Sequence, residues 1–64
     1  MRTKPASLVV PRDFVPHVCG RYGWGEVVAV DRSQEPEIGL RLRCGCELRW
    51  PDARPMPYAV EVMD

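Results

Sequence analysis

The chain has 64 residues, enough for one small domain and too few for two. Hydrophobic residues make up 45% of it and charged residues 28%, a composition typical of globular proteins and not of disordered ones. Nine basic residues balance nine acidic ones, which excludes the strong positive field of a dedicated duplex-binding protein. No apolar run approaches the ~20 residues of a membrane-spanning helix and no secretory leader is recognisable, so we expect a cytoplasmic protein with no membrane partner.

The N-terminal part of the sequence predicts a flexible arm followed by a single domain. Residues 1–7 are mostly polar, and we expect a loose arm there, with the domain covering residues 8–64. Residues 8–18 have the composition of an extended segment but are interrupted by Pro11 and Pro16. Because proline cannot donate a hydrogen bond to a neighbouring strand, this segment is predicted to be an edge strand.

The clearest periodic signal lies in the middle of the chain and is typical of β-strands. Residues 25–31 contain the run EVVAV, which predicts a strand, and residues 31–39 include Ser, Glu and Pro and predict a polar loop. Residues 40–50 alternate apolar and polar side chains, which predicts a hairpin with its turn at Gly45. The side chains predicted to face the core are Leu40, Leu42, Cys44, Cys46, Leu48 and Trp50, and those predicted to face solvent are Arg41, Arg43, Glu47 and Arg49.

The C-terminal part completes the pattern of a small all-β domain. Pro51, Pro55 and Pro57 predict a tight connection without a regular strand, and the alternation over residues 58–63 predicts a last strand. No stretch shows the apolar recurrence of an amphipathic helix. Short strands joined by turns in so small a chain predict a closed or nearly closed five-stranded antiparallel barrel, which hides its sheet edges.

The sequence GWGEVVAVD at residues 23–31 resembles a strand of the Src-homology-3-like (SH3-like) small β-barrels, which include the KOW and Tudor-type modules. The order of the later parts is also similar to theirs: a polar loop, a tight hairpin, an aromatic residue followed by proline, a short turn and a last strand. The resemblance begins at Val18 and implies an SH3-like barrel with a loose N-terminal arm. It also implies a binding module more often than an enzyme.

A second resemblance, to the plasmid-borne type II dihydrofolate reductases, is confined to one segment. Those enzymes are barrels of similar size that assemble as tetramers around one pore, and they carry a Val-Gln-Ile-Tyr strand followed by proline. The corresponding segment here is ELRWP at residues 47–51, where other residues replace the glutamine and the tyrosine. The resemblance therefore implies an oligomeric barrel enzyme as a further alternative, without carrying over any ligand contact.

Two residue pairs carry the side chains that zinc prefers. His17 and Cys19 form one pair, and Cys44 and Cys46 form the other. Zinc takes four nitrogen or sulfur ligands in a tetrahedron, and a structural ion adds stability that a thin core lacks. Each pair has one intervening residue where zinc knuckles have two or more, and buried cysteines also serve as small hydrophobic core residues. Structural zinc and simple packing are therefore the alternatives for these four residues.

Arginine and aromatic side chains form the candidate binding surface. Guanidinium groups neutralise phosphates and aromatic rings stack on bases, and both groups are also common at the centres of protein interfaces. The residues that we assign to partner contacts are Tyr22, Trp24, Arg41, Arg43 and Arg49. The alternative is that the arginines are the solvated side of a strand and that a tryptophan belongs to the core.

No constellation of residues in the sequence indicates catalysis. The acidic residues are scattered, and the single lysine, Lys4, does not follow a glycine-rich phosphate loop. The chain is also too small to enclose a substrate pocket of several hundred Å³ by itself. We therefore expect a non-enzymatic binding or regulatory module that recognises another protein, with no cofactor other than the candidate zinc ion. The alternative is a nucleic-acid-binding barrel, and association of copies of the chain stays open.

Overall fold

The computed structural model describes residues 2–61, which form β-strands and one short 3₁₀ turn. The elements are β1 (Arg2–Lys4), the 3₁₀ turn (Ala6–Leu8), β2 (Phe14–Arg21), β3 (Trp24–Asp31), β4 (Glu37–Leu42), β5 (Glu47–Pro51) and β6 (Met56–Tyr58). Strands β2 to β5 form an antiparallel sheet in chain order, and β1 pairs with β6 in a second sheet. The predicted all-β class is confirmed. No helix among the described residues is long and apolar enough to cross a membrane.

The hairpin predicted over residues 40–50 is present as β4 and β5. The register of the two strands sets Leu40 opposite Leu48 and Ile38 opposite Trp50. Side chains directly opposite each other lie on the same face of a sheet, so these four side chains form one apolar layer. Ile38 and Leu40 are fully buried, and Leu48 and Trp50 pack against them at the edge of the core.

An irregularity in β3 curls the larger sheet into a half-barrel. Val27 aligns with Leu42, and Ala29 aligns with Arg41, the residue next to Leu42 in β4. Two steps along β3 therefore correspond to one step along β4, and Val28 is the extra residue of a β-bulge. A bulge bends its strand and increases the local twist. Because of this shift Val27 is buried and Val30, three residues later, also packs against the core. The result is a strongly curled sheet, compatible with a small β-barrel.

The N-terminal segment is part of this fold. Lys4 of β1 pairs with Met56 of β6. Ala6 in the 3₁₀ turn is fully buried, and the backbone N–H of Ser7 donates a hydrogen bond to Asp52 Oδ1 at 3.0 Å. Strand pairing and burial offset the conformational entropy that ordering these residues costs. In the described residues this segment is therefore paired with β6 and packed on the domain that it precedes.

A buried ion pair fixes β1 to the segment before β2. The Nζ atom of Lys4 lies 2.7 Å from Asp13 Oδ2, and it also lies over the ring of Tyr58, 4.2 Å from the centroid. Asp13 is only 6% exposed, and its Oδ2 atom also accepts a hydrogen bond from the backbone N–H of Val10 at 3.1 Å. A buried carboxylate needs such partners to be stable as an anion. Lys4 therefore connects β1, β6 and the chain that enters β2.

Strand β6 lies where the sequence predicted a proline-rich connection. Pro57 is inside this strand, opposite Thr3. Proline is tolerated at that position because alternate residues of an antiparallel strand donate to opposite sides, so one side can lack a donor. The last strand predicted over residues 58–63 is wrong in its bounds, since β6 ends at Tyr58. Residues 62–63 of that prediction lie outside the described part of the chain.

A backbone bridge joins the two sheets. Phe14 and Ala59 exchange two backbone hydrogen bonds. The nitrogen-to-oxygen distance is 2.8 Å from Phe14 to the Ala59 carbonyl and 2.9 Å from Ala59 to the Phe14 carbonyl. Phe14 begins β2, which is the edge strand of the larger sheet and contains Pro16. The predicted edge strand is therefore present, although it begins later than the predicted residues 8–18. The bridge brings the β1–β6 ribbon against this edge.

The core of the described chain is small, as the length predicts. Its fully buried apolar side chains are Ala6, Val9, Val15, Val27, Ile38, Leu40, Leu42 and Met56. Half of these are alanine or valine, which contribute less burial than larger side chains do. A core of this size gives a marginal domain, so other interactions are needed to stabilise the fold.

Candidate functional site

A wide bulge interrupts the pairing between β2 and β3. Pro16 and Arg21 both align with Trp24, so residues 17–20 leave the regular ladder. The bulge is held tightly against β3, because a Cβ atom on Gly20 would lie 1.8 Å from the carbonyl oxygen of Trp24. Bulges re-aim side chains relative to a regular strand. Two of the predicted zinc ligands, His17 and Cys19, belong to this bulge.

The other two predicted ligands lie in the tight turn between β4 and β5. Residues 43–46 form this turn, in which Gly45 has a φ of 94°, a conformation that favours glycine. Backbone hydrogen bonds of 2.9 Å from Leu42 N–H to the Cys46 carbonyl and from Gly45 N–H to the Leu42 carbonyl close it. Cys44 is exposed, which corrects the prediction that it faces the core, because β4 ends at Leu42 and the alternation ends with it. Cys46 is half-buried.

The bulge and the turn bring the predicted ligands together. One ligand atom from each of His17, Cys19 and Cys46 lies within 4.8 Å of the others. Cys44 lies two residues before Cys46 in the same turn, and its sulfur is not one of these mutually close ligand atoms. We call these four residues the His/Cys cluster. Its members come from two segments that flank β3, and this convergence is what a shared metal ion would require.

The imidazole of His17 has a buried nitrogen without a partner. Its Nε2 atom is shielded from solvent and accepts or donates no hydrogen bond within the part of the chain that the structure describes. Buried polar atoms in folded proteins are nearly always paired, and an unpaired one costs free energy. This nitrogen therefore marks the cluster as a site with an unmet interaction.

The thiols of Cys44 and Cys46 have pKa shifts in opposite directions. The backbone N–H of Cys46 donates to the Cys44 sulfur and lowers the pKa of Cys44, and the thiols of Cys46 and Cys19 lower it further. The side-chain hydrogen bond of Cys46 to Cys44, followed by the one to Cys19, raises the pKa of Cys46 to about 11. Cys44 therefore loses its proton more readily than Cys46 does.

A surface cleft borders the His/Cys cluster. It has a volume of about 370 Å³, and its lining residues include the aromatic residues Phe14 and Trp24 together with Cys19 and Cys44. This open cleft is larger than the sequence analysis expects for so short a chain, because it forms on the outside of the curled sheet and not within the core. A volume of this size is in the range of sites that take a small ligand or a side chain of a partner.

An ion pair forms the polar wall of the cleft. Arg43 Nε lies 3.2 Å from Glu26 Oε1, and the backbone N–H of Arg43 donates to the Glu26 carbonyl at 2.9 Å. Both residues line the cleft. Sequence reasoning assigned Arg43 to partner contacts but missed Glu26 and Phe14. Those two are neighbours because the β2–β3 register pairs them, and only the strand alignment reveals it.

The residues predicted for partner contacts lie in different places. Trp24 and Arg43 line the cleft, and Tyr22 is 68% exposed in the β2–β3 turn. Tyr22 and Gly23 have φ values of 55° and 79°, the pattern of a type I′ hairpin turn. Arg41 and Arg49 are exposed on the solvent side of the β4–β5 hairpin, outside the cleft lining.

Comparisons with known proteins leave the function to be argued from this site. No protein family, curated protein or solved structure matches the chain. The features that bear on function are therefore the aromatic cleft and the His/Cys cluster beside it.

Proposed function

We propose that this protein is a small non-enzymatic module that recognises another protein through the cleft between Phe14 and Trp24. The observation that carries the proposal is the cleft itself, about 370 Å³ in volume and lined by two aromatic residues beside the Arg43 and Glu26 ion pair. Aromatic and arginine side chains in a concave site are the groups that dominate binding at protein interfaces. An apolar side chain of the partner, next to a polar group that meets the ion pair, matches this lining.

Exposed apolar side chains near the cleft support a protein partner. Val18, in the β2 bulge, is 94% exposed, and Tyr22 is 68% exposed in the turn that leads into Trp24. Cys19, which follows Val18 in the chain, and Trp24, two residues after Tyr22, line the cleft. Exposed apolar groups around a concave site mark interaction surfaces more often than they mark ordinary solvated surface.

The state of the basic side chains favours protein over nucleic acid. The Arg43 guanidinium in the cleft is already paired with Glu26, which a phosphate would have to displace. Several other basic groups are engaged within the domain: Lys4 with Asp13, Arg32 with the Ser7 carbonyl, Arg49 with Gln34, and Arg54 over the ring of Trp50. With a net charge of zero, the chain also lacks the general attraction to phosphate that nucleic-acid binders use.

The SH3-like character of the barrel belongs to the same proposal. Three features support it: consecutive antiparallel strands β2 to β5, the strong curl of that sheet, and the valine-rich strand β3 after the turn glycine. In small barrels of this kind the loops between strands are available for recognition, since the core side chains fill the interior. The β2–β3 turn and the β4–β5 turn flank the cleft in this way.

Affinity capture with a matched pair of surface variants tests the proposal. The rim variant combines Val18→Ser with Tyr22→Asn, since asparagine tolerates the positive φ of that turn position. The control is Leu8→Ser, which removes another exposed apolar side chain, 59% exposed, from the 3₁₀ turn. Proteins retained by the wild type are identified by mass spectrometry, and the purified partner is then titrated against all three forms by calorimetry.

We expect one partner protein to be retained by the wild type and by the control, and its affinity for the rim variant to fall at least about tenfold. The affinity should change little when salt rises from about 50 to about 200 mM, because the contact is mainly apolar. Equal binding of the rim variant contradicts the proposal. Binding that nuclease treatment abolishes and that weakens steeply with salt would support the nucleic-acid alternative instead.

A further inference from the structure

We propose that the His/Cys cluster is a structural zinc site in which His17, through Nε2, and the thiolates of Cys19, Cys44 and Cys46 bind one Zn²⁺ ion. The inference is independent of the partner-binding proposal. It concerns how the fold is stabilised, and it assigns each of the four side chains as a ligand of the metal.

The spacing of the ligand atoms is close to that of a formed site. In a zinc tetrahedron with Zn–S bonds of about 2.3 Å and a Zn–N bond of about 2.0 Å, neighbouring ligand atoms are roughly 3.5–3.8 Å apart. The ligand atoms of His17, Cys19 and Cys46 already lie within 4.8 Å of one another. A contraction of about 1 Å completes the geometry for these three ligands, and of the three Cys19 is exposed and free to rotate toward half-buried His17 and Cys46. Cys44 is exposed and lies in the same turn as Cys46 but outside the group of ligand atoms within 4.8 Å of one another, so it takes the fourth position by rotation of its side chain.

The unpartnered nitrogen of His17 is a second, independent observation. Nε2 is buried and neither donates nor accepts a hydrogen bond among residues 2–61, so in the tautomer that carries its proton on Nδ1 the Nε2 lone pair is available to a metal. Metal coordination satisfies that lone pair, and neutral imidazole is the form that binds metals. If the four residues were only packing against each other, as the alternative from the sequence has it, an apolar side chain would serve better than a half-buried imidazole whose Nε2 atom is buried without a partner.

The donor set selects the metal. Three thiolates and one imidazole are soft and borderline ligands, which suit Zn²⁺ in a tetrahedral site. Calcium and magnesium require oxygen ligands, and the cluster offers none from its side chains. Four protein ligands close the coordination shell, which is the arrangement of structural and not of catalytic zinc.

The position of the cluster explains what the ion does for the fold. Residues 17–20 have left the β2–β3 ladder, and residues 43–46 form the turn after β4, so both segments lack the support of regular strand pairing. A metal bound to both segments cross-links them on either side of β3. In a domain with so small a core, metal binding adds directly to the folding free energy.

Metal analysis of the full chain tests the site. The protein is purified under reducing conditions without a metal-affinity tag, and zinc is measured by elemental analysis beside native mass spectrometry. We expect one zinc per chain, loss of that zinc with chelator at the same point as unfolding, and a melting temperature lower by at least about 10 °C in the metal-free form. Replacement by Co²⁺ is expected to give the visible bands of tetrahedral coordination and thiolate charge-transfer absorption.

Single substitutions identify the ligands. Cys19→Ser, Cys46→Ser and His17→Ala are expected to weaken zinc binding more than about 100-fold, beyond the loss typical of groups that only support a ligand. Cys44→Ser distinguishes a site with four protein ligands from one with three. If the variant binds zinc as tightly as the wild type, Cys44 is not a ligand and its assignment is overturned. The control is Val18→Ser, which lies in the same bulge and should keep the zinc.

Thiol alkylation of the wild type keeps the proposal falsifiable if a variant fails to fold. Bound zinc is expected to protect all three cysteines from alkylation, and chelator to expose them. A chain that holds no zinc, or whose cysteines react equally with and without added zinc, overturns the proposal. A mass two hydrogens below that of the fully reduced chain, in protein purified under reducing conditions, also overturns the proposal. A disulfide between two of the cysteines would then explain why these side chains lie close together.

Discussion

Replacement of Lys4 by methionine tests whether β1 is an integral strand of the fold. Methionine keeps an unbranched apolar stem but removes the ammonium group, which lies 2.7 Å from Asp13 Oδ2 and 4.2 Å from the centroid of the Tyr58 ring. The side chains of Lys4 and Asp13 are 21% and 9% exposed. Among the described contacts, the variant leaves this largely buried carboxylate with the hydrogen bond from the backbone N–H of Val10.

The expected loss of stability is large for a chain of this length. Removing one member of a buried ion pair costs about 3–5 kcal/mol, and a partly exposed cation–π contact contributes about 0.5–1 kcal/mol. Because Lys4 keeps some contact with water, we take the lower end, about 3 kcal/mol. A domain of 64 residues has a total stability of about 6 kcal/mol. Lys4→Met should therefore remove about half of it and lower the melting temperature by at least about 12 °C.

The measurement is urea and thermal unfolding followed by tryptophan fluorescence, with Arg2→Met as the matched control. Arg2 lies on the same strand and is exposed, so its replacement is expected to change the stability by less than about 0.5 kcal/mol. A double-mutant cycle with Asp13→Asn isolates the pair, and the loss in the double variant should be smaller than the sum. If Lys4→Met is no worse than Arg2→Met, β1 is a loose arm after all and the reasoning from the buried pair fails.

Three further predictions concern the bulge, the thiols and an N-terminal contact. Gly20→Ala places a Cβ atom 1.8 Å from a carbonyl oxygen of β3, so we expect it to displace the bulge and to destabilise the chain by more than about 2 kcal/mol in urea unfolding; an effect under about 0.5 kcal/mol contradicts this. The pKa of Cys44 is lowered and that of Cys46 is raised to about 11. In metal-free protein near neutral pH, Cys44 should therefore be alkylated faster than Cys46. The order is measured by peptide mass spectrometry, and the opposite order refutes the thiol arrangement. The hydroxyl and then the backbone N–H of Ser7 lower the pKa of Asp52, so its contribution to stability is present above the usual pKa and is lost as pH falls through the lower folded value. Acid unfolding curves should therefore be less steep for Asp52→Asn than for wild type, and identical curves count against this contact.

Local patterns were enough to predict the central strands. The alternation over residues 40–50 is a signal of period two, and the register of Leu40 with Leu48 follows from placing both apolar sets on one face. The residue types also identified His17 and the three cysteines as a candidate metal site, since ligand chemistry depends on the side chain alone. That these side chains meet was not predictable, because the meeting depends on a bulge that alternation cannot reveal.

Contacts between distant segments account for what the sequence analysis missed. The pairing of β1 with β6 joins segments at opposite ends of the described chain. Neither segment has a periodic apolar pattern from which this pairing could be predicted. Cys44 follows the alternation of β4 in the sequence but lies beyond the last strand residue, Leu42, so the pattern continues where the strand does not. The cleft arises in the same way, from the alignment of Phe14 with Glu26.

The antiparallel pairing of β1 with β6 has a consequence for synthesis on the ribosome. Strands β2 to β5 are joined by consecutive hairpins, so each can pair as soon as it has left the exit tunnel. The β1–β6 ribbon, by contrast, has to wait until Tyr58 has emerged, and until then Lys4 and the 3₁₀ turn have no strand to cover them. The nascent chain therefore passes through a stage with an assembled curved sheet and an unprotected amino-terminal segment, the stage at which a chaperone or a protease would encounter it.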